Sequence, residues 1–224
     1  MKPRFSFVTP TWNRGHLLQH SLQSLVDQTF KDFEIIVVDD GSTDNTKHVL
    51  TEFQEREPRL KCIYLKHQGI VPTLWEGNNA ATGEIIVKHD SDDLSMPDRL
   101  EKIDEYFKEN PDTEIFYHGM YQTYEEENYS FRRIYIPAMP IDKERLLKEQ
   151  YIPGFFSYTK KFITEVPYRK SYCSEDWMLL LDAVLKNRKI GFLNQGLYEY
   201  AMRVDSNSLR WEGTGAYEKD EEMM

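Results

Sequence analysis

The chain has 224 residues, of which 38 are Asp or Glu and 28 are Lys or Arg, so its formal net charge is −10 before histidine is counted. This acid excess argues against binding to nucleic acid or to anionic lipid, because contacts with phosphate groups require clustered Lys and Arg. The hydrophobic fraction of 40% is typical of a globular chain and excludes a disordered one. No apolar run reaches the roughly 18 residues of a membrane helix.

The first residues and the cysteines both favour the cytoplasm. The chain enters a strand-like segment at once, without the apolar core of a signal peptide. Cys62 and Cys173 lie far apart and form no Cys-x-x-Cys pair. This spacing favours free thiols in a reducing compartment. We therefore expect a cytoplasmic protein with at most peripheral membrane contact at the inner face; the sequence does not predict its oligomeric state.

The first half of the chain alternates strand and helix patterns. Strands are predicted at 5–9, 33–38, 60–65 and 84–88, and helices at 14–28, around Val49 to Phe53 and at 74–81. The run Phe33 to Val38 is apolar apart from Glu34, as expected for a strand that is covered on both faces. Strands that alternate with helices predict βαβ units, so we expect an α/β fold with a mainly parallel sheet and helices on both faces.

The second half is less regular. We predict a helix at 97–107, a strand at 114–124, a solvated turn at 125–128, helices at 141–150 and 177–186, and a returning strand or hairpin at 190–200. From Gly213 the chain is acidic and poor in apolar residues, which is typical of a frayed tail. We therefore expect one domain over 1–212, made of two abutting halves that meet near residue 93, and a tail over 213–224.

Polar side chains follow three of the predicted strands. The clusters are Thr9-Pro10-Thr11, Asp39-Asp40-Gly41-Ser42 and Asp90-Ser91-Asp92-Asp93. Ligands of open parallel sheets bind outside the carboxyl ends of the strands, so these clusters are candidate binding residues. For Ser42 and Thr43, capping of the following helix is an equally good interpretation.

The third cluster, at residues 90–93, indicates a cation-binding site. Asp90, Asp92 and Asp93 crowd three carboxylates into one loop, where they repel one another unless a positive charge lies among them. A hard divalent ion such as Mn²⁺ or Mg²⁺, held by one or two carboxylates and completed by phosphate oxygens and water, satisfies this requirement. An EF-hand is excluded, because Leu94 stands where an oxygen ligand is needed.

Two further patterns leave alternatives open. The segment Glu175-Asp176-Trp177 precedes a predicted helix, so its carboxylates supply either favourable charge at a helix N-terminus or a general base. The Asp-x-Asp at 90–92 is also similar to the aspartyl nucleophile of haloacid-dehalogenase phosphatases, although Leu94 and the mid-chain position count against it. His89 and His118 have no evident partner, and we interpret them as structural.

Four motifs in order resemble family 2 glycosyltransferases of the GT-A fold. They are VTPTWNR, SLQSLVDQTFKDFEIIVVDDGSTDNT, HDSDDLSMPDRL and SEDW, and the spacing of Gly69, Gly77 and Gly83 agrees with them. The resemblance covers residues 5–209. It implies transfer of a sugar, with inversion, from a nucleotide-diphosphate donor to an acceptor hydroxyl. A UDP-sugar is the first expectation for the donor, and a saccharide or lipid-linked saccharide for the acceptor.

The resemblance also implies roles for individual residues. Residues 1–93 would bind the nucleotide-sugar through Thr9, Pro10, Asn13, Asp39, Gly41, Ser42, Asp90, Ser91 and Asp92. Asp92 would bind the metal directly, and Asp90 would reach the ribose or a metal-bound water. Residues 94–212 would bind the acceptor, with Asp176 as the catalytic base, Glu175 as its neighbour or substitute, and Gly154, Phe155 and Trp177 at the acceptor.

The chain departs from the family pattern at two places. Relatives often carry Arg-Asn where this chain has Leu74 and Trp75. The contact of that Arg with the nucleotide is therefore either absent here or supplied elsewhere, by Lys66 or Arg99. Relatives also often carry a His near the end of the domain, where this chain has Arg203 and Asp205. An Arg there would pair with the diphosphate, and an Asp would favour the metal.

Two other functions stay open. The missing Arg-Asn suggests a nucleotide-sugar-binding protein without transfer activity, and the Asp-x-Asp at 90–92 suggests the dehalogenase-type phosphatase. By analogy with short relatives, we expect a role in bacterial cell-surface polysaccharide or lipopolysaccharide synthesis.

Overall fold

The structure is a computed structural model that describes residues 2–125, 131–170 and 174–202. The elements of the first half are β1 (Phe5–Thr11), α1 (Gly15–Val26), β2 (Phe33–Asp39), α2 (Thr46–Arg56), β3 (Leu60–Tyr64), α3 (Ile70–Ala80) and β4 (Ile85–Lys88). Those of the second half are β5 (Leu94–Ser95), α4 (Arg99–Glu109), β6 (Ile115–Glu125), β7 (Phe131–Ile136), α5 (Lys143–Leu146), β8 (Ser157–Thr159), α6 (Lys160–Glu165), α7 (Glu175–Leu185) and β9 (Ile190–Met202).

One sheet contains the nine strands of the described ranges. Its order is β3-β2-β1-β4-β8-β6-β9-β5, with β7 paired to β6. Strands β1 to β4 pair in parallel, and so do β6 and β9, whereas β5, β7 and β8 pair antiparallel with their neighbours. The predicted mainly parallel sheet is confirmed. Strand order reverses at β1, which lies between β2 and β4, and a crevice for ligands is expected at the carboxyl ends of these strands.

Helices cover both faces of the central strands. Alternate residues of β2 point to opposite faces, because side chains alternate along a strand. Ile35 belongs to a buried cluster with Leu22 of α1, whereas Ile36 and Val38 belong to a second cluster with Leu74 of α3. All seven residues of β2 are buried, which explains why its sequence is apolar except for Glu34 and Asp39.

Two helix predictions were wrong. Helix α3 begins at Ile70 and not at Leu74, because Pro72 is accommodated in the first turn, where no backbone N–H is needed. The helix predicted at 141–150 is reduced to the four residues of α5. The carbonyl oxygen of Leu146 accepts a hydrogen bond from Trp177 Nε1 at 2.8 Å, and the turn after α5 closes on Arg145 O, which accepts from Lys148 N and Glu149 N.

Four short elements were not predicted, and the structure decides between the strand and the hairpin that were considered for residues 190–200. The sequence did not predict the two- and three-residue strands β5 and β8, nor β7 and α6. Strand β8 lies antiparallel between β4 and β6, and Tyr158 is paired with Ile86 on one side and Ile115 on the other. Residues 190–200 form a returning strand, because β9 runs parallel to β6.

Several predictions fall partly or wholly outside the described ranges. Glu125 ends β6, whereas 126–128 of the predicted turn, the tail at 213–224 and Cys173 are not described. Cys62 is a half-buried free cysteine, and burial raises the pKa of its thiol to about 12. None of the helices described here is long and apolar enough to cross a membrane. The two-half division near residue 93 stays a prediction.

Candidate active site

Three polar clusters meet at one edge of the sheet, as predicted. The main chain after β2 is held to β1 by a hydrogen bond from Asp40 N to Thr11 O of 2.9 Å, and His89 N donates to Val8 O at 3.0 Å beyond β4. These contacts bring the loops after β1, β2 and β4 side by side. Asp39 and Asp90 therefore lie at the same edge, on either side of β1.

The loops after β1 and β2 are tied to each other by side chains. Asp39 Oδ1 accepts a hydrogen bond from Ser42 N at 3.0 Å, and Asn13 N donates to Ser42 Oγ at 2.8 Å. Asn13 Oδ1 in turn accepts from Thr43 N at 2.8 Å. Gly41 has φ of 73°, a left-handed conformation that favours glycine. These four predicted residues build a pre-formed wall of the crevice.

An exposed aromatic pair beside this wall was missed. Trp12 is 43% exposed and stacks on His67, with ring centroids 4.3 Å apart and planes inclined by 15°. His67 Nδ1 lies 2.8 Å from Asp40 Oδ2. The buried Asp40 carboxylate also accepts from Gln68 N and Gly69 N at 2.9 and 2.8 Å. The sequence did contain a signal for this site, because Trp12 directly follows a predicted strand. A large apolar side chain that is exposed at such a position indicates a contact with another group or with a ligand.

The acidic loop after β4 is balanced partly by the chain's own cations. Lys88 Nζ lies 3.3 Å from Asp90 Oδ1, and Arg14 Nε lies 3.4 Å from Asp92 Oδ2. Asp93 is buried, and its Oδ1 accepts from Ala201 N at 3.0 Å. Burial raises the pKa of Asp93 well above its usual value, and the charges of Asp92 and Asp90 add to this shift. The three carboxylates of this loop thus differ in burial: Asp93 is buried, whereas Asp90 and Asp92 are partly exposed.

Asp90 and Asp92 fit a divalent ion that arrives with a phosphate ligand. Their side chains are 35% and 24% exposed, and carboxylate oxygens are the ligands that hard cations prefer. Within the described ranges no group of three or more His, Cys, Asp or Glu side chains converges as a metal site. A cation held by two carboxylates, with phosphate and water in its other positions, matches this donor set.

Asp176 lies in the first turn of α7, with its side chain 13% exposed. Its Oδ2 is 2.7 Å from Lys88 Nζ, and its Oδ1 is 3.5 Å from the hydroxyl of Tyr168. Burial raises the pKa of Asp176, and the charges of Glu175 and Asp90 add to this shift, whereas the ammonium group of Lys88 at 2.7 Å opposes it and favours the ionised carboxylate. An ionised carboxylate held at this edge of the sheet can accept a proton from a hydroxyl group, as general base catalysis requires.

Lys88, which the sequence reasoning missed, links the two groups of carboxylates. Its side chain is only 3% exposed at the end of β4. Burial lowers its pKa, but the carboxylates of Asp176, Asp90 and Glu175 outweigh burial and hold it well above the usual value. The available signal was a lysine that ends the apolar run Ile85–Lys88, because buried lysines are rare unless they are paired.

Arg99 does not replace the missing Arg of the family pattern. It is fully buried beneath the acidic loop, where it donates from Nε to His118 Nε2 at 3.1 Å and from a terminal nitrogen to Lys88 O at 3.2 Å. Burial lowers the pKa of both His89 and His118 well below the usual value, and the charge of Arg99 adds to this shift. The two histidines are structural, as expected, and Lys66 is exposed.

The aromatic residues expected at the acceptor are core residues. Phe155 and Trp177 are 4% and 5% exposed. Phe155 stacks on Tyr198 with centroids 4.3 Å apart, and the Trp177 indole N–H is used by the main chain. Neither ring face is presented to a sugar, which corrects the prediction for these two. Gly154 does lie at the site, because a Cβ there would come within 2.2 Å of Asp176 Oδ2.

The remaining predicted residues divide into three groups. Thr9, Pro10 and Ser91 are buried in the loop and strand that support the crevice. Leu74 lies in the core, and Trp75 donates its indole N–H to Tyr168 O at 3.0 Å, so neither takes the place of Arg-Asn. Arg203 and Asp205 lie outside the described ranges.

Two solved structures share this fold. S. aureus TarS (1–349) in complex with UDP-GlcNAc aligns with a TM-score of 0.72 and 22% identity, over 92% of this chain and 60% of TarS. The mannosyltransferase PcManGT from Pyrobaculum calidifontis, in complex with GDP-Man and Mn²⁺, aligns with a TM-score of 0.71 and 15% identity, over 94% of this chain and 60% of that one. Both have the GT-A fold of glycosyltransferases, and so does this chain.

The sequence comparison identifies the family. The profile of glycosyl transferase family 2 matches residues 6–170, and the chain belongs to this family. The glycosyltransferase GlyG of Streptococcus pneumoniae serotype 4 is 26% identical over 223 residues, which is 92% of this chain and 73% of GlyG. TuaG of Bacillus subtilis strain 168, provisionally assigned to teichuronic acid biosynthesis, is 32% identical over 109 residues, which is 48% of this chain and 43% of TuaG. Two further curated relatives are longer, and the chain spans 36% and 32% of their lengths.

Proposed function

We propose that the chain transfers a sugar from a nucleotide-diphosphate donor to an acceptor hydroxyl with inversion at the anomeric carbon. The observation that carries this proposal is the grouping of Asp39, Asp90 with Asp92, and Asp176 at one edge of the sheet. The contacts of Lys88 with Asp90 and Asp176, at 3.3 and 2.7 Å, bring the last two groups together. A donor site and a base are the two parts that such a transfer needs.

The nucleotide would bind against the wall formed by the loops after β1 and β2. Asp39 can accept a hydrogen bond from the base N–H that uracil and guanine both offer, and the exposed face of Trp12 is a stacking surface for the base. A UDP-sugar is the first candidate. The complexes of TarS with UDP-GlcNAc and of PcManGT with GDP-Man support testing both nucleotides.

Asp90 and Asp92 would hold Mn²⁺ or Mg²⁺ together with the donor diphosphate. The bound metal stabilises negative charge on the diphosphate as it departs. Arg14, whose guanidinium lies against Asp92, supplies a second positive charge at this end of the crevice. The Mn²⁺ complex of PcManGT supports this assignment.

Asp176 would act as the general base. Its carboxylate takes the proton of the acceptor hydroxyl while the acceptor oxygen forms a bond to the anomeric carbon and the bond from that carbon to the diphosphate oxygen breaks. A single displacement of this kind inverts the anomeric centre. Gly154 leaves room for the carboxylate, because any side chain there would collide with it.

The acceptor would be a saccharide or a lipid-linked saccharide of a cell-surface polysaccharide. Partial similarity to TuaG supports this setting. In this proposal the acceptor hydroxyl approaches Asp176 from the side of the crevice that the second half of the chain forms.

The test begins with donor binding. Thermal unfolding is measured with UDP-, GDP- and dTDP-sugars at equal concentration, each with and without MnCl₂, because a ligand that binds more tightly to the folded chain raises the melting temperature further. One nucleotide should give the largest shift, and its sugar should be released or transferred in the presence of Mn²⁺. Asp92→Ala should abolish both the metal-dependent shift and turnover. Asp112→Ala, an exposed aspartate that precedes β6 at the opposite end of the sheet, is the matched control. Full turnover by Asp92→Ala would contradict the proposal.

One observation favours a second candidate, a nucleotide-sugar-binding protein without transfer. Leu74 lies in the core, so α3 offers no guanidinium at the position where relatives carry Arg. This candidate predicts a donor-specific thermal shift in the same screen, with no release of nucleotide for any acceptor offered.

A further inference from the structure

Lys88 has more contacts than charge balance alone requires. An ammonium group has three N–H donors, and the structure provides acceptors on three sides of it. Asp176 Oδ2 lies at 2.7 Å, Asp90 Oδ1 at 3.3 Å and the carbonyl oxygen of Gly154 at 3.4 Å. One acceptor belongs to the loop proposed to bind the donor, and two belong to the segments that form the acceptor side.

We propose that Lys88 is a positioning residue that holds the base Asp176 at a fixed place relative to the donor-binding Asp90. The inference rests on the proposed function. Asp90 follows Lys88 by two residues on the same stretch of chain, whereas Asp176 comes from α7. The ammonium therefore joins two segments that sequence separates by 88 residues.

The two oxygens of Asp176 are held to different degrees. Oδ2 is held by Lys88 and lies against Gly154, where a Cβ would approach to 2.2 Å. Oδ1 faces the hydroxyl of Tyr168 at the longer distance of 3.5 Å. Oδ1 is thus the less tightly held oxygen, while the contact of Oδ2 with Lys88 fixes the orientation of the carboxylate. A base held in one orientation saves the entropy of aligning it during the reaction.

The main chain at Lys88 is fixed as well. Lys88 N donates to Phe156 O at 2.9 Å, and Lys88 O accepts from the buried Arg99 at 3.2 Å. Both ends of the side chain are therefore anchored, the Cα by the sheet and Nζ by the carboxylates. A lysine that only neutralised charge would not need this degree of order.

The test compares Lys88→Met with Lys88→Arg and with the control Lys102→Met. Lys102 is on the outer face of α4, where it pairs with Glu105. The probes are UDP-GlcNAc, UDP-Glc, UDP-Gal and GDP-Man with MnCl₂; nucleotide release to water gives kcat and the donor KM, and the thermal shift with UDP or GDP gives binding. Lys88→Met should lower kcat about 100-fold or more, within the range of one catalytic proton transfer. The donor KM should change by less than about threefold, Lys88→Arg should recover part of the rate, and Lys102→Met should match the wild type.

A double-mutant cycle separates positioning from a general structural effect. If Lys88 acts through Asp176, then Lys88→Met combined with Asp176→Asn should be no slower than Asp176→Asn alone. The double variant removes both buried charges, so it also serves if Lys88→Met does not fold. Wild-type kcat in Lys88→Met, or multiplying losses in the double variant, would overturn the inference and leave the proposed function intact. A wild-type chain that neither binds nor turns over any probe would remove the proposed function, and this inference with it.

Discussion

The two sides of the crevice hold their carboxylates in different ways. Asp39 and Asp40, on the nucleotide side, are held by backbone N–H groups of nearby loops, those of Ser42, Gln68 and Gly69. Asp90 and Asp176, on the reacting side, share the ammonium group of a buried lysine from β4. Hydrogen bonds from backbone N–H groups hold each carboxylate in place separately, whereas a shared ammonium group links the positions and the charges of two carboxylates. The first arrangement suits recognition, and the second suits a step in which charge moves.

The largest effect is expected for Asp176, one of the two carboxylates that share the ammonium group of Lys88. Asp176→Asn keeps the shape of the side chain but removes the proton-accepting carboxylate, so kcat for nucleotide release or transfer should fall about 10³-fold, within the range for a general base. Glu175→Gln removes the neighbouring charge in the same helical turn and should cost much less. Steady-state kinetics of both variants with the donor found by thermal shift will check this. A larger loss of kcat in Glu175→Gln than in Asp176→Asn would indicate that Glu175 is the general base.

A buried carboxylate at the opposite edge of the sheet extends the comparison to stability. Burial disfavours the charge of Glu34, but hydrogen bonds from Lys61, Thr82 and Ser6 outweigh it and lower the pKa of Glu34 to about 2. Because the folded pKa lies below the unfolded value of about 4.5, this stabilisation is complete above pH 4.5 and is lost as the pH falls toward 2. About 2 kcal/mol should be lost by pH 3.

Urea unfolding at pH 7 and pH 3 measures this loss. In Glu34→Gln the fall in unfolding free energy between the two pH values should be smaller by about 2 kcal/mol than in the wild type. Glu55→Gln, on the exposed face of α2, should behave like the wild type. Equal pH dependence in all three proteins would show that Glu34 does not carry this contribution.

The smallest effect is expected on the nucleotide side, where much of the wall is backbone. Trp12→Ala should weaken UDP or GDP binding about tenfold, since stacking of a base on an aromatic ring contributes about 1–3 kcal/mol. Trp75→Ala is the matched control, because Trp75 is 41% exposed on α3 and is not part of the wall. Isothermal titration with Mn²⁺ present compares them, and an equal loss in both variants would remove Trp12 from the site.

This contrast also explains which parts could be predicted from sequence. The strands β1 to β4 and the polar residues that follow them were predictable, because buried parallel strands are apolar runs and their ends are marked by Asp, Ser and Gly. Asp39 and Ser42 contact each other within three residues, so the motif contains its own contact. Lys88 and Asp176 are 88 residues apart, and neither segment by itself indicates that the other lies beside it in the fold.

The acidic loop shows where local reasoning misled. Three neighbouring carboxylates were expected to need an external cation, but Lys88 and Arg14 lie against two of them and burial favours the neutral form of Asp93. The charge of the loop is therefore partly balanced within the chain, and the proposed metal would be held together with the donor diphosphate. Phe155 and Trp177 were expected near the acceptor because aromatic rings bind sugars, yet the same rings also fill cores.

Strand β8 bears on how this domain could be re-engineered for another acceptor. Its three residues are clamped between β4 and β6, and the carbonyl just before it holds the main chain of Lys88. The stretch from Pro137 to Pro153 therefore leaves β7 and re-enters at a point that the sheet has already fixed. That stretch also supplies the buried core residues Ala138, Leu146 and Ile152, and the Leu146 carbonyl accepts the indole N–H of Trp177. Exchange of its exposed residues alone, 142–145 and 147–150, would change the surface while leaving the catalytic residues in place.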